Sequence, residues 1–517
     1  MKAWTAPAIV TSIALPLLYW VARRSEFNGL IADGYIYLVM ADILANLVAG
    51  ANAFAHFVFA AYPFPPLYPF ALAVGGGGSQ APLTTYLLQS SFLAVALGLL
   101  TRWYQTLGLP GSVALSLGLT MLILPVTLLC AMDVQSESLY LALSVATLLL
   151  VSERRVCTRR WLASGVSCGL AILTRTAGLA LLPALLVHSL KPRQLGRGAA
   201  AVSLALVAPA VWWWLRQWWQ LESSYLDHAH GVAERSLTAY WTGTVVNLDA
   251  LLAAAPRSFD FMARPHVGMA LAIAAGCALG TFVQRLRRGQ IDAVYVAGYT
   301  AMILVWPFPA HARRFLWVIL PILCGYAVLC AVSLVPRRFV RARGLAAHAM
   351  VLLFALLALP TTFDILRELQ ADASSESRSP ARYLTPSRAL AYTQARELAP
   401  VFGLLRRAPT LLPDDACVSS AIPEQVIFLT QRRARHFNEE RHDAQGIRQL
   451  LRECPYVFMV AAEAYPPDGL PPMYPYRLIA TDLEVLAVTR ANPHDIHSAV
   501  LAMLAHYAPD KSTKNLR

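Results

Sequence analysis

The chain is 517 residues long, 57% hydrophobic and only 14% charged, with a mean hydropathy of +0.50. A soluble globular protein is about 25% charged, so this composition excludes an ordinary water-soluble domain and places most residues against lipid or against lipid-facing helices. The net charge of +13 is nearly all arginine, with lysine only at 2, 191, 511 and 514. Arginine excess fits phosphate recognition, but a coding bias toward arginine and alanine explains it more simply, and nothing in it points to nucleic acid. The eight cysteines form no CxxC or Cys/His zinc spacing, and most sit in apolar segments, where a thiol behaves as a small hydrophobe.

Apolar runs able to cross a bilayer, about 20 residues each, recur at 6–22, 84–101, 110–131, 138–152, 161–174, 177–190, 198–215, 266–284, 291–308, 315–335 and 344–361. They predict about eleven transmembrane helices within a membrane module of residues 1–361. A lone Lys2 precedes the first run and no A-x-A site follows it, so it reads as a retained helix rather than a cleaved signal peptide. The basic loops SERRVCTRR (152–160), KPRQLGR (191–197), RLRR (285–288) and PRRFVRAR (336–343) fall on one side if the helices alternate. The positive-inside rule makes that side cytoplasmic, together with the N-terminus; Arg23 and Arg24 are the exception. The exoplasmic side then receives a first loop at 23–83, a turn at 132–137, a loop at 216–265 and the C-terminal region. No inverted hydropathy repeat of the kind found in secondary transporters is evident.

The first loop contains FNGLIADGYIYLVMADILANL (27–47), with Asp33 and Asp42 in an apolar, aromatic run. Nine residues of helix turn through about 900°, which sets these aspartates on opposite faces and excludes a two-carboxylate dyad of the glycosidase kind. Asp33 shares a face with Tyr37, four residues on. Two readings of Asp33 stand: the N-cap of a helix starting at Gly34, or a functional carboxylate. Asp42 is assigned to local structure.

Further along, Glu137 and Asp133 lie at the outer turn between two spans. An ionisable group at membrane depth points to function, while a glutamate at a helix start also suits the dipole. Arg175, in LTRTAG, interrupts a hairpin of two short apolar arms; an ion pair or a snorkelling side chain competes with phosphate contact. VWWWLRQWW (211–219) reads as an interfacial aromatic belt. YLDHAH (225–230) offers Asp227, His228 and His230, ligand types for a metal, but alternating loop histidines are more often solvated and no metal ligands are assigned. His311, Arg313 and Arg314 form a basic cluster at the outer end of a span, where charge-directed topology gives them no reason to be. From 362 to 517 the character changes to a small exoplasmic α/β domain. ADASSESRSP (371–380) is linker-like, 386–407 and 443–453 are amphipathic, and CVSS (417–420), YVFMV (456–460) and RLIATDLEVLAVTR (477–490) are strand-like. Cys417 and Cys454 there are either a disulfide or buried strand-end residues. Arg432 and Arg433 either touch an acceptor or cover the domain surface.

Taken in order, Asp-x-x-x-Tyr-Leu at 33–38, YPFPPLYP within AYPFPPLYPFALAV (61–74), SESLY within MDVQSESLYLAL (132–143), LTR within GLAILTRTAGLALLPALL (169–186) and RRFL within AHARRFLWVILPIL (310–323) resemble the GT-C superfamily of glycosyltransferases. The likeness is to the protein O-mannosyltransferase-like branch that includes the lipid A aminoarabinose transferases. It covers essentially the whole chain, and LPDDACVSSAIPEQVIFLTQRRAR (412–435) also looks like the exoplasmic segment of bacterial members. The resemblance implies a GT-C fold and a transferase, integral to the bacterial inner membrane, that moves a sugar from a polyprenyl-phosphate donor to a lipid, glycan or protein acceptor. It implies Asp33 as the catalytic base, and beside it the placement of the residues themselves makes Tyr37, Glu137, Asp133, Arg175, His311, Arg313 and Arg314 the candidate substrate-binding residues. No cofactor is implied, and a divalent metal stays open. Gly34 follows Asp33 where the protein mannosyltransferases proper pair Asp with Glu, so a second carboxylate must come from elsewhere. The competing class is a transporter or flippase of a lipid-linked substrate, whose ionisable residues would sit near the centres of spans.

Overall fold

The computed structural model describes residues 3–24, 34–48, 64–78, 81–152, 157–190, 194–218, 236–260, 262–306, 312–371, 412–420, 426, 430, 432–436, 453–454, 456–460, 477–482 and 486–490. Residues 1–37 with 62–376 form one compact unit, and residues 38–61 with 377–517 form a second. The first unit is built from α1 (Thr5–Arg24), the start of α2 (Gly34–Val48), α3 (Leu67–Val74), α4 (Pro82–Thr106), α5 (Gly111–Leu122), α6 (Pro125–Met132), α7 (Glu137–Ser152) and α8 (Thr158–Thr174). A tight turn of 3-10 helix (Thr176–Ala180) leads into α9 (Leu181–Ser189), followed by α10 (Leu195–Trp218), α11 (Leu237–Arg257), α12 (Pro265–Arg287), α13 (Ile291–Val305), α14 (Ala312–Leu334) and α15 (Val340–Ala371).

Among the described residues, each of the eleven apolar stretches falls mainly on helix. Among the described residues six helices are long and apolar enough to cross a membrane, and α5 with α6 make a seventh if counted as one bent span. The remaining stretches fall on shorter helices, α7, α8, α9 and α13. The protein is thus an integral membrane protein. One expectation needs correction: 216–265 is not a plain loop, because α11 occupies 21 residues of it. Ser236 accepts a hydrogen bond from the Ala239 amide and caps the helix. Thr242, Thr244, Asn247 and Asp249 dilute its apolar run, which hides it from a hydropathy window. The last helix also runs past residue 361 to Ala371.

The 56° bend between α5 and α6 has a local cause. Pro125 carries no N–H for the carbonyl of Met121, four residues earlier. The Thr127 hydroxyl donates to that carbonyl instead, at 2.8 Å, and in turn accepts from the Trp317 indole N–H at 3.1 Å. Thr362 of α15 supplies a second repair, donating to the Ile123 carbonyl at 2.5 Å. The break is therefore tied to α14 and α15, and it delivers the buried turn 133–136 that leads into α7.

Close helix approach rests on small residues. Gly165 and Gly169 make a G-x-x-x-G face on α8 that meets Ala201 and Ala205 of α10; a Cβ on Gly165 would collide with the Ala201 carbonyl, and one on Gly169 would lie 2.8 Å from that of Ala205.

The described part of the second unit beyond α2 is a five-stranded sheet in the order β2-β1-β3-β5-β4. Its strands are β1 (Cys417–Ser420), β2 (Arg433–His436), β3 (Tyr456–Val460), β4 (Arg477–Asp482) and β5 (Leu486–Arg490). β1 pairs in parallel with β2 and β3, while β5 pairs antiparallel with both β3 and β4. Strand β2 was not expected from the sequence, since RARH has no apolar alternation. Cys417 and Cys454 form a disulfide, and the Ser419 hydroxyl donates to the Cys454 carbonyl at 3.0 Å. Arg432 pairs with Asp414 at 2.5 Å, and the Arg433 guanidinium donates to the Asp415 carbonyl at 2.9 Å. The linker-like 372–380 and the amphipathic 386–407 and 443–452 lie outside the described residues.

Gly165→Ala is expected to lower the midpoint of detergent-induced unfolding by the equivalent of about 1–3 kcal/mol, the usual cost of overpacking. Gly276→Ala on α12, where an added methyl meets nothing within 4 Å, serves as the control and leaves the midpoint within about 0.5 kcal/mol.

Candidate functional site

Glu137 is the first residue of α7 and is fully buried. A carboxylate removed from water needs counter-charge, and two arginines supply it from distant elements. Arg175 sits at the C-terminal end of α8, where a cation suits the helix dipole, and its Nη1 lies 2.6 Å from Glu137 Oε1. Arg314, in the first turn of α14, forks onto both carboxylate oxygens, through Nε to Oε1 and through Nη2 to Oε2 at 3.2 Å. Among the described residues, two guanidiniums from distant elements thus converge on one buried carboxylate.

Ser136 joins the cluster to α2. Its Oγ accepts from Arg175 Nη1 at 3.2 Å and shares a hydrogen bond of 3.0 Å with the Tyr37 hydroxyl. Tyr37 is held in place by edge-on contacts with Tyr68 and Phe64, at ring-centroid distances of 5.0 and 5.5 Å. The guanidinium of Arg175 also stands over the Phe315 ring at 5.7 Å, a cation–π contact that keeps the charge at the rim of a cleft.

That cleft is partly open to solvent. Its walls come from Tyr37, from Phe64 and Pro65 ahead of α3, from 174–177, from the face Tyr299, Met302, Ile303 at the end of α13, and from Trp306 and Phe315. Among the described residues lining it, Arg175 alone is charged. The aromatic walls are anchored from behind. The Tyr299 hydroxyl donates to the Phe315 carbonyl at 3.2 Å and that of Tyr140 to the Ala177 carbonyl at 3.1 Å. Asn247, on the unexpected helix α11, donates to the carbonyls of Leu304 and Trp306 at 2.9 and 2.6 Å, closing the C-terminus of α13 beside the Trp306 wall.

The structure thus brings together Tyr37, Glu137, Arg175 and Arg314 of the residues expected from sequence. Asp133, at the end of α6, stands next to this group: burial pushes its carboxyl up to about 7, against the downward pull of Arg314 and Arg313 and with a smaller upward push from Glu137. Its Oδ2 accepts from the Gln135 amide at 3.1 Å. Arg313 follows Ala312 in the first turn of α14. Asp33, directly before the first residue of α2, and His311, directly before α14, lie outside the described residues, as do Asp227, His228 and His230. Asp42 is half-buried within α2 and belongs to the second unit. Sequence reasoning missed Ser136, Phe64, Tyr299, Trp306 and Phe315. Ser136 and Phe315 each adjoin a residue that was singled out. Among the described residues no group of three His, Cys, Asp or Glu side chains is placed to hold a metal ion.

The architecture, a polytopic helical bundle with a separate sheet-containing unit, has counterparts among solved structures. The structure of ArnT from Cupriavidus metallidurans bound to undecaprenyl phosphate superposes with a TM-score of 0.56 at 14% sequence identity, covering 93% of this chain and 97% of that one. The same protein in the apo state gives 0.54 at 13% identity with the same coverage. At such identities the likeness establishes a shared fold, and it is the fold that the motif order in the sequence implies. No protein-family model matches the chain, and no curated protein matches it by sequence.

The raised carboxyl of Asp133 makes stability pH-dependent. An unfolded aspartate titrates near 3.9, so the folded state holds this proton more tightly. The resulting stability is full below about pH 4 and is lost as pH rises through about 7. Between pH 5 and pH 8 the wild-type unfolding midpoint is expected to fall relative to that of Asp133→Asn, by the equivalent of roughly 1–3 kcal/mol given the partial exposure of the residue. Parallel pH profiles for the two proteins would contradict this.

Proposed function

We propose that the protein is a membrane glycosyltransferase that moves a sugar from a polyprenyl-phosphate donor to a lipid, glycan or protein acceptor at the exoplasmic face. The observation that carries this reading is the meeting of the Glu137–Arg175–Arg314 cluster with an aromatic cleft in which, among the described residues, Arg175 is the charged wall residue. An anionic headgroup attached to an apolar chain asks for that combination: guanidinium groups for the phosphate and apolar, aromatic surface for the isoprenoid or the sugar face. The shared fold with a protein crystallised with undecaprenyl phosphate supports the same donor class.

In the reaction, an acceptor hydroxyl attacks the anomeric carbon while Asp33 takes its proton. The new bond to the acceptor oxygen forms as the bond from the anomeric carbon to the phosphate oxygen breaks, and polyprenyl phosphate leaves with the bonding electron pair. Arg175 and Arg314 stabilise the charge that develops on the departing phosphate, with Arg313 and His311 at the same end of α14. Glu137 does not act as a second catalytic acid in this scheme, because its two oxygens are occupied in holding the arginines. Tyr37 lines the donor cleft through its hydrogen bond to Ser136. Asp133 borders the site.

The proposed setting is a bacterial inner membrane, with about eleven crossings in residues 1–361, a cytoplasmic N-terminus, and residues 362–517 as an exoplasmic α/β domain. The Cys417–Cys454 disulfide favours an oxidising compartment for that part of the chain. Flipping a lipid-linked substrate without chemistry is the alternative function. The clustering of ionisable groups around one cleft, rather than along a path through the spans, favours transfer.

In the native host, Asp33→Asn at matched membrane abundance is expected to reproduce a deletion, with a surface glycan missing and polyprenyl-phosphate sugar retained. In reconstituted vesicles the same change lowers the transfer rate by about 10²–10⁴-fold. Wild-type glycans in the Asp33→Asn strain, alongside a phenotype in the deletion, would remove Asp33 from the mechanism.

A further inference from the structure

Gln89, in the second turn of α4, is buried and uses every hydrogen-bonding valence of its amide. Its Oε1 accepts from the Tyr68 hydroxyl at 2.7 Å and from the Ser138 hydroxyl at 3.0 Å. Its Nε2 donates to the carbonyls of Cys130 at 2.9 Å and Asp133 at 3.1 Å. The two carbonyls belong to the end of α6, where helix geometry leaves such groups without intrahelical partners. Ser138 follows Glu137 at the start of α7. One amide therefore holds both ends of the turn 133–136, from which Ser136 and Glu137 reach Arg175 and Arg314. The same amide oxygen holds Tyr68, whose ring backs Tyr37.

We propose that Gln89 is a positioning residue of the donor site. It sets where the Glu137 carboxylate stands, and through it where the two guanidiniums stand, and it sets the tyrosine wall of the cleft on the opposite side. A side chain of equal length without the amide leaves two carbonyls and two hydroxyls to find other partners. The turn then shifts, because a buried polar network is stable only when every member is satisfied. As a contributor to donor binding, Gln89 rests on the reading of the cluster as a phosphate site. As the residue that positions the cluster, it does not.

The test uses the full-length protein in detergent or nanodiscs and compares wild type with Gln89→Met. Phenylglyoxal labelling, read by mass spectrometry, reports how well each arginine is clamped. Arg285 is the internal control, since Asp292 holds it through two hydrogen bonds of 2.8 Å far along the chain from this turn. Gln89→Met is expected to raise the labelling of Arg175 and Arg314 about ten-fold while Arg285 stays unchanged. No change at Arg175 and Arg314, or an equal rise at all three, would overturn the proposal, the latter because it reports general loosening. If Gln89→Met does not fold, Tyr68→Phe and Ser138→Ala each remove one bond to the amide and carry the same comparison. Titration with undecaprenyl phosphate runs alongside. Binding by the wild type and about ten-fold weaker binding by the variant are expected. Absence of wild-type binding would count against the donor reading, while the arginine labelling still decides the role of Gln89.

Discussion

One buried carboxylate, that of Glu137, governs the candidate site of this membrane protein. Glu137 has no exposed surface, and in a bundle built of apolar helices an uncompensated charge there would cost several kcal/mol. Arg175 and Arg314 meet that demand, and the demand fixes them: each reaches the carboxylate from a different helix, α8 and α14. Removing one partner from a buried pair typically costs about 3–5 kcal/mol, so the three elements are locked to one another through charge as well as packing. The same arrangement sets the Arg175 guanidinium at the wall of the aromatic cleft.

The fold supplies the conditions for that arrangement. Pro125 breaks the α5–α6 span, Thr127 and Thr362 satisfy the carbonyls the break exposes, and the chain turns inside the protein to begin α7 at Glu137. The G-x-x-x-G face of α8 lets it lie close to α10, and α8 ends where Arg175 must stand. On the far side of the cleft, α13 ends under the cap of Asn247, and α14 begins with Arg313 and Arg314. Helix ends, rather than helix middles, provide nearly every polar group at the site. That agrees with chemistry at a membrane face, because helix ends are where a bundle can present unpaired backbone and charged side chains at tolerable cost.

Hydropathy made the helices legible, since an average over about 20 residues survives local noise. It lost α11, whose threonines, Asn247 and Asp249 are polar for a reason that lies elsewhere in the chain: Asn247 serves the end of α13. Glu137, Arg175 and Arg314 could be picked out singly because charge is rare and costly at membrane depth. Their mutual pairing could not be read, as Glu137 and Arg314 are 177 residues apart. Ser136 and Gln89 were invisible for the opposite reason, being common residue types whose importance comes wholly from four or fewer specific contacts. In the second unit, apolar β-branched strands were readable, whereas RARH forms β2 only because β1 offers it an edge. The Cys417–Cys454 bond, open as sequence, follows from the pairing of β1 with β3 that brings the two together.

The most direct test of the account is the structure of the protein in a lipid nanodisc with undecaprenyl phosphate. The account predicts the phosphate within hydrogen-bond reach of Arg175 or Arg314, with the first isoprene units against Tyr299, Trp306 or Phe315 and the Glu137 clamp still closed behind it. A phosphate bound away from both arginines, with the aromatic cleft empty, would contradict it.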